Sequence, residues 1–379
     1  MKRHFPAVGA TATALLALLA GVPTHAEDTQ QSTPPEAAPA ASDTSTASKD
    51  YGFGAGSMLV VPIPVNSPTF GTGLILGAGY VFQEDEKSDN SFIGVGVFAT
   101  NNGSRAGAIG TSLSLDEKRH NGMLYLGAAD VTYDLYVDGD PLEINQEGVA
   151  LNAEYRFGFT PHLSAGLSFR YLESRVNAIG NATLPPGIQD LTDITLASLG
   201  LVAQWDTRND SLYPSEGGLA EFNFLTNQVS GGASFSYLKS TLALDHYWLL
   251  GPQTVLAANA TGCLVEDEAP FFDSCLLGSQ IRGFSLFQYY GNQMVTAQAE
   301  LRQNFSKRFG GVAFAGVGET LSSLEFGRRT LTRDSDLRYA GGLGLRYRVS
   351  KDFPIDLSLD VAINDLDEKN IYFYVGQAF

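Results

Sequence analysis

Residues 294–304 alternate almost without fault. Met294, Thr296, Gln298, Glu300, Arg302 and Asn304 fall on one side, and Val295, Ala297, Ala299 and Leu301 on the other, with Gln303 the exception. A period of two is the signature of a β-strand. A strand this long, polar on one face and apolar on the other, suits a transmembrane barrel with lipid outside and a wet lumen inside. No later apolar run approaches the ~18 residues that a membrane helix needs.

The same pattern recurs along the chain. In 149–157, Val149, Leu151, Ala153, Tyr155 and Phe157 oppose Ala150, Asn152, Glu154 and Arg156. In 337–348, Leu337, Tyr339, Leu343, Leu345 and Tyr347 oppose Arg338, Arg346 and Arg348. Alternating segments are expected at 56–65, 70–82, 91–100, 104–115, 121–136, 146–157, 162–176, 193–207, 217–230, 233–249, 253–263, 290–305, 310–319, 335–349, 354–363 and 371–379. That count predicts an all-β fold: a sixteen-stranded antiparallel transmembrane β-barrel, even-numbered as in bacterial single-chain barrels. Short breaks such as 158–161, 250–252, 306–309 and 350–353 read as periplasmic turns. The longer breaks 177–192, 264–289 and 320–334 read as loops of the opposite side.

What precedes the barrel reads as export machinery. Lys2, Arg3 and His4 begin residues 1–26, an apolar run covers 7–20, and Thr24-His25-Ala26 closes it, which is a secretory signal peptide. Residues 27–50 are rich in Ala, Ser, Thr, Pro and Gln without apolar periodicity, as in a disordered periplasmic linker. The barrel takes residues 51–379.

Charge and motifs exclude most other functions. The net charge is −17, and it gathers in breaks: Glu84-Asp85-Glu86, Asp138, Asp140, Glu266-Asp267-Glu268, Asp365 and Asp367. Nucleic acid needs basic patches, so it is not an expected partner. There is no G-x-S-x-G, phosphate loop or H-E-x-x-H, so no enzyme and no cofactor is expected. Cys263 and Cys275 are the only cysteines, and in an exported chain an even count suggests a disulfide. Two thiols without a nearby His make no metal site.

Strand one carries Pro62 and Pro64. Neither has an N–H, and residues two apart direct those groups toward the same neighbour. The bare side is expected to face strand sixteen, leaving the barrel closure short of hydrogen bonds between residues 60–65 and 371–379.

Four motifs, in order, resemble the BamA/TamA superfamily of outer-membrane barrels, the bacterial surface antigen group. Asp206-Thr207-Arg208-Asn209-Asp210 with Tyr213-Pro214-Ser215-Glu216-Gly217 is similar to its periplasmic turn before strand nine. Gln280-Ile281-Arg282-Gly283-Phe284 resembles its [VI]-R-G-[FY] loop between strands eleven and twelve. Ala299-Glu300-Leu301-Arg302 resembles its acidic strand-twelve motif. Tyr372 to Phe379, with Tyr372, Tyr374, Gly376 and Phe379, resembles the signal that the assembly machinery reads. The resemblance implies an inward-folded loop whose Arg282 pairs with Glu300. It also implies outer-membrane lipid and the assembly machinery as partners. There are two departures. Gly316 stands where the family's strand thirteen carries an aspartate, so one partner of Arg282 is expected to be missing. The linker has no room for a POTRA domain, which points to a barrel-only member and a separate periplasmic partner.

Two classes of function fit. One is a barrel that assists translocation or insertion of lipid or polypeptide at the outer membrane of a Gram-negative bacterium. The other is a passive pore or structural surface protein. A plugging loop, with lumen charges at Glu154, Arg156, Glu300, Arg302, Arg338, Arg346, Asp356 and Asp360, argues against a wide channel.

Overall fold

The computed structural model describes residues 51–379 apart from 138, 180–183, 185, 190, 211–212, 267–268, 327–328, 335–336 and 349–355. The expected signal peptide and linker lie outside the described residues, as do Asp138, Asp267 and Glu268.

Sixteen antiparallel strands follow one another around a closed barrel. They are β1 (Ser57–Ser67), β2 (Gly71–Gln83), β3 (Asn90–Thr100), β4 (Arg105–Leu115), β5 (His120–Val137), β6 (Asp140–Gly158), β7 (Leu163–Ala178) and β8 (Asp193–Asp206). The second half is β9 (Gly217–Gly231), β10 (Phe235–Gly251), β11 (Thr254–Val265), β12 (Gln293–Asn304), β13 (Phe309–Phe326), β14 (Arg338–Arg348), β15 (Asp356–Asn364) and β16 (Lys369–Val375). Alternation decides which side each residue takes. On β12, Val295 is 70% exposed on the outer wall while Thr296 is 1% exposed inside. Leu74, Leu76, Val95, Val97, Ile109, Leu124, Leu126, Leu199, Leu201, Leu343 and Leu345 continue that exposed apolar wall. In water so wide a patch would be a liability, whereas in a bilayer it is the solvent-facing surface.

Two boundaries differ from the sequence reading. Residues 320–326 and 329–334 are strand, not loop. β13 runs on to Phe326, and Arg329–Asp334 folds back along it from Phe326↔Arg329 to Leu321↔Asp334. β16 stops at Val375, not at 379. Gly376 has φ +89°, a conformation that suits glycine, and turns the chain out of the ladder.

Loop residues 269–292 lie inside the barrel. Their side chains meet walls all the way round: Thr69 beside β2, Tyr133 on β5, Arg170 on β7, Tyr237 on β10, Glu300 on β12, Asp360 on β15 and Tyr372 on β16. Only a loop within a closed cylinder can do this. Its neck is fixed by Cys275–Leu276 pairing with Tyr290–Gly291. The lumen is not uniformly wet. Phe271, Phe272, Leu276, Leu277, Ile281, Phe284, Leu286 and Phe287 of the loop form one apolar core with Leu135, Ile144, Val176, Ile194, Leu196, Val229 and Tyr237. Those wall residues sit at the ends of the strands where the long loop emerges, so packed loop side chains fill the extracellular half of the lumen. Toward the periplasmic turns, polar contacts replace them: Arg156 Nε lies 2.9 Å from Glu154 Oε1, and Gln204 Nε2 donates to Glu221 Oε1 at 3.0 Å.

The barrel closure is thin. β1 follows β2 without a register shift from Ser57↔Val81 to Ser67↔Gly71, straight through Pro62↔Leu76 and Pro64↔Leu74. A ladder that passes two prolines undisturbed must have them at positions whose missing N–H groups point away from it. Away from β2 is β16, and there, among the described residues, the one registered pair is Asn66↔Phe373, beside a bond from Asn66 Nδ2 to the Ile371 carbonyl.

Cys263 and Cys275 are joined, twelve positions apart, tying the start of the loop to β11. Mass spectrometry of non-reduced peptides is expected to recover them linked, and reduction to cost about 2–4 kcal/mol of stability. Free thiols in protein from envelopes would contradict the pairing.

Candidate functional site

Four elements converge on Arg282. The loop approaches through a short 3-10 turn, Leu277–Ser279, whose Leu277 carbonyl accepts from Ile281 N at 3.0 Å. Gly283 follows at φ +122°, and a Cβ there would come within 2.6 Å of the Ala340 side chain. Glycine is therefore required on both counts. Its carbonyl accepts from Asn364 Nδ2 at 2.9 Å and Asn370 Nδ2 at 2.6 Å, and its N–H donates to the Tyr372 hydroxyl at 2.7 Å. The backbone around Arg282 is thus clamped to β15 and β16.

The guanidinium then reaches two carboxylates. Arg282 Nη2 donates to Glu300 Oε2 at 2.6 Å, and Nη1 donates to Asp360 Oδ2. The cation also sits 3.6 Å from the centre of the Phe314 ring. Both carboxylates are fully buried. Such groups are tolerated only when paired and hydrogen-bonded. Glu300 Oε1 accepts from Arg302 Nε at 2.9 Å. Asp360 accepts from Arg346, and from the Tyr374 hydroxyl at 2.7 Å. Three arginines therefore enclose two carboxylates.

The partner expected to be missing is replaced. Asp360 on β15 supplies the second carboxylate. Gly316 makes room for something else: a Cβ there would lie 3.1 Å from Ile281 Cγ2. The loop's isoleucine rests where a longer side chain would stand, and the second carboxylate comes from β15, two strands along from Gly316.

The structure brings Ile281, Arg282, Gly283, Phe284, Glu300, Tyr372 and Tyr374 into one cluster, with Phe379 joined to it through Arg302. Pro62 and Pro64 lie apart, exposed on the wall. A second anchor had not been read from the sequence. Asp273 accepts from Arg170 Nη2 at 2.9 Å, Lys239 Nζ at 3.1 Å and the Tyr237 hydroxyl at 2.6 Å. Burial disfavours the charged Asp273 carboxylate, yet Arg170 and Lys239 outweigh it and hold it well below the usual range. A depressed value means that this stabilisation is complete above about pH 4 and fades as pH falls below it. The partners lie far off in sequence, on β7 and β10, so no local pattern announces them. Among the described residues no cluster of metal-ligating side chains occurs.

An Omp85 superfamily domain model matches residues 108–379. The chain belongs to the Omp85 superfamily. Its place is the outer membrane of a Gram-negative bacterium. Members of this superfamily are non-enzymatic translocation or insertion proteins. Among solved structures, the Omp85 barrel is similar to BamA from Haemophilus ducreyi lacking POTRA domains 1–3, at 17% identity and TM-score 0.54, over 85% of this chain and 70% of that one. It is also similar to CdiB from Acinetobacter baumannii, at 13% identity and TM-score 0.55, over 85% of this chain and 59% of that one. CdiB from Escherichia coli follows at 14% identity and TM-score 0.52, over 83% and 62%. This chain thus spans less than two thirds of the two CdiB chains. At these identities the likeness establishes the fold. No curated protein matches the sequence.

The cluster's charge orders its mutants. Losing Arg282 leaves two cations on two anions. Losing Glu300 or Asp360 leaves three cations on one anion. Glu300→Ala and Asp360→Ala are therefore expected to cost about 3–5 kcal/mol each in urea unfolding. Arg282→Ala is expected to cost less, while freeing the loop to external protease. The Arg282→Ala/Glu300→Ala pair should depart from additivity by about 0.5–3 kcal/mol. Additive losses would show that the two groups do not interact.

Proposed function

We propose that this Omp85 barrel assists the insertion or translocation of lipid or polypeptide at the outer membrane by parting β1 from β16, not by conducting through its lumen. The observation that carries the reading is the closure with a single registered pair, against eleven between β1 and β2.

Energies favour the wall over the lumen. Emptying the lumen would expose eight apolar loop side chains, from Phe271 to Phe287, at about 1.5–3 kcal/mol each. It would also break the buried pairs at Arg282 and Asp273. Parting the seam breaks one registered pair and the bond from Asn66 Nδ2 to the Ile371 carbonyl, at about 1 kcal/mol per hydrogen bond, and disturbs the packing of the buried Ile63 and Val65. The seam is the cheaper opening. The passive pore, the other class that the sequence admitted, is disfavoured by the packed loop that fills the extracellular half of the lumen.

BamA and CdiB homologues work with assembly or partner proteins, which supports the reading that this barrel acts with a separate periplasmic partner. Outer-membrane lipid bounds the seam, and the assembly machinery reads Tyr372, Tyr374, Gly376 and Phe379 during biogenesis of the barrel itself. The test uses the one registered pair. Asn66→Cys with Phe373→Cys, oxidised, locks the seam. In proteoliposomes the locked barrel is expected to lose its acceleration of β-barrel client insertion and to regain it on reduction. Undiminished insertion by the locked form contradicts lateral opening. In planar bilayers the intact protein is expected to show no large stable conductance; a steady wide conductance would favour the pore.

A further inference from the structure

Turn 305–308 joins β12 to β13 at the periplasmic end of the wall. It holds its own shape. Ser306 Oγ accepts from Arg308 N at 3.3 Å and from Phe309 N at 3.0 Å, and Ser306 N donates to the Phe309 carbonyl at 3.0 Å. Lys307 and Arg308 are left exposed. Against the turn lies a cavity of about 190 Å³. Its lining carries four cations, Lys307, Arg308, Arg346 and Arg348, against one carboxylate, Asp356.

These charges do not balance. Arg346 is paired with Asp360. Asp356 is taken up by Arg348, whose Nε donates to Oδ1 at 3.0 Å, and by Gln377, whose Nε2 donates to Oδ2 at 2.8 Å. Lys307 and Arg308 remain. Arg308 Nη1 donates to the neutral Tyr347 hydroxyl at 3.1 Å, and among the described residues neither cation has a carboxylate partner. Two other periplasmic turns are built differently. There Lys87 pairs with Glu117 at 2.9 Å and Lys118 with Asp89 at 2.6 Å, beside Glu84, Asp85, Glu86 and Asp116. A chain of net charge −17 thus keeps two cations without counter-charge at one turn.

Their height in the wall indicates what supplies that counter-charge. On β14, Leu343 and Leu345 face outward at 68% and 63% exposure. Tyr347 follows on the same face, its ring 5.1 Å from that of Phe309. Phe305 and Phe309 are exposed as well. Lys307 and Arg308 come next. Apolar wall, then aromatic girdle, then cation is the order in which a bilayer passes from acyl chains to headgroups. Long basic side chains at that level reach headgroup phosphates and favour anionic lipid.

We propose that turn 305–308 and its cavity bind the phosphate of an anionic phospholipid of the periplasmic leaflet, held by Lys307 and Arg308 with Arg348 on the lumen side. The site goes beyond the seam reading and holds whether or not β1 parts from β16. Inorganic phosphate shares this chemistry, so the test separates the two sources.

The full chain in micelles is offered phosphatidylglycerol, diacylglycerol with the same acyl chains, or inorganic phosphate, and bound molecules are counted by native mass spectrometry. The unaltered protein is expected to retain phosphatidylglycerol, and Lys307→Gln/Arg308→Gln to retain about tenfold less. Lys307→Arg/Arg308→Lys keeps both charges and is expected to bind as the unaltered protein does. Diacylglycerol, which lacks the phosphate, is expected not to be retained. Equal retention by the glutamine variant, loss in the charge-keeping variant, or diacylglycerol held as well as phosphatidylglycerol overturns the proposal. So does inorganic phosphate that displaces the lipid at equal concentration, because the site would then bind free phosphate. A second measurement leaves the cations in place. A photoreactive phenylalanine analogue at Phe309 is expected to crosslink phosphatidylglycerol in vesicles more than the same analogue at Phe159, which is also exposed beside a periplasmic turn. Equal yields at the two positions contradict a site at this turn.

Discussion

A guanidinium and two carboxylates away from water can persist only as a mutually satisfied set. In this barrel the set is Arg282, Glu300 and Asp360, completed by Arg302, Arg346 and Tyr374. It joins a loop, β12, β14, β15 and β16 at one point. Without it, loop residues 269–292 would keep their apolar core but lose their registration against the wall. With it, the loop becomes part of the barrel's interior, fixed at Arg282 on one side and at Asp273 on the other. The disulfide holds the loop's first segment to β11.

A filled interior changes what the wall has to do. The exposed apolar face binds the barrel to lipid, and the ladders between neighbouring strands bind it to itself. Only the closure departs from this rule. Pro62 and Pro64 leave the β1–β2 register undisturbed, and the seam proposal assigns their missing donors to the other edge. The early turn at Gly376 withdraws the last residues from the edge as well, which shortens β16 from the same side.

Much of this was legible in the residues. Parity alone placed the strands and put Glu300, Arg302, Arg346 and Asp360 in the lumen, because one face of each strand meets lipid and tolerates no charge. Parity does not say which lumen charges meet. Asp360 pairs with Arg282 because the loop crosses the barrel, a fact no strand contains. Gly316 read as a missing partner, yet it opens the space that Ile281 fills, and Asp360 supplies the carboxylate. The pairing of 329–334 with 321–326 carries no sequence signal because these residues are mostly polar and show no apolar alternation. The end of β16 escaped because the aromatic alternation runs past Gly376 while the backbone does not.

The central claim is a barrel closed through its middle and weak at one seam. Amide hydrogen exchange of the intact protein in lipid nanodiscs tests it most directly, because exchange reports local opening strand by strand. Fast exchange is expected along residues 57–65 and 369–375, beside slow exchange in loop residues 271–289 and in the β14–β15 ladder. Slow, uniform exchange across β1 and β16, or a loop that exchanges as fast as solvent-exposed turns, would contradict it.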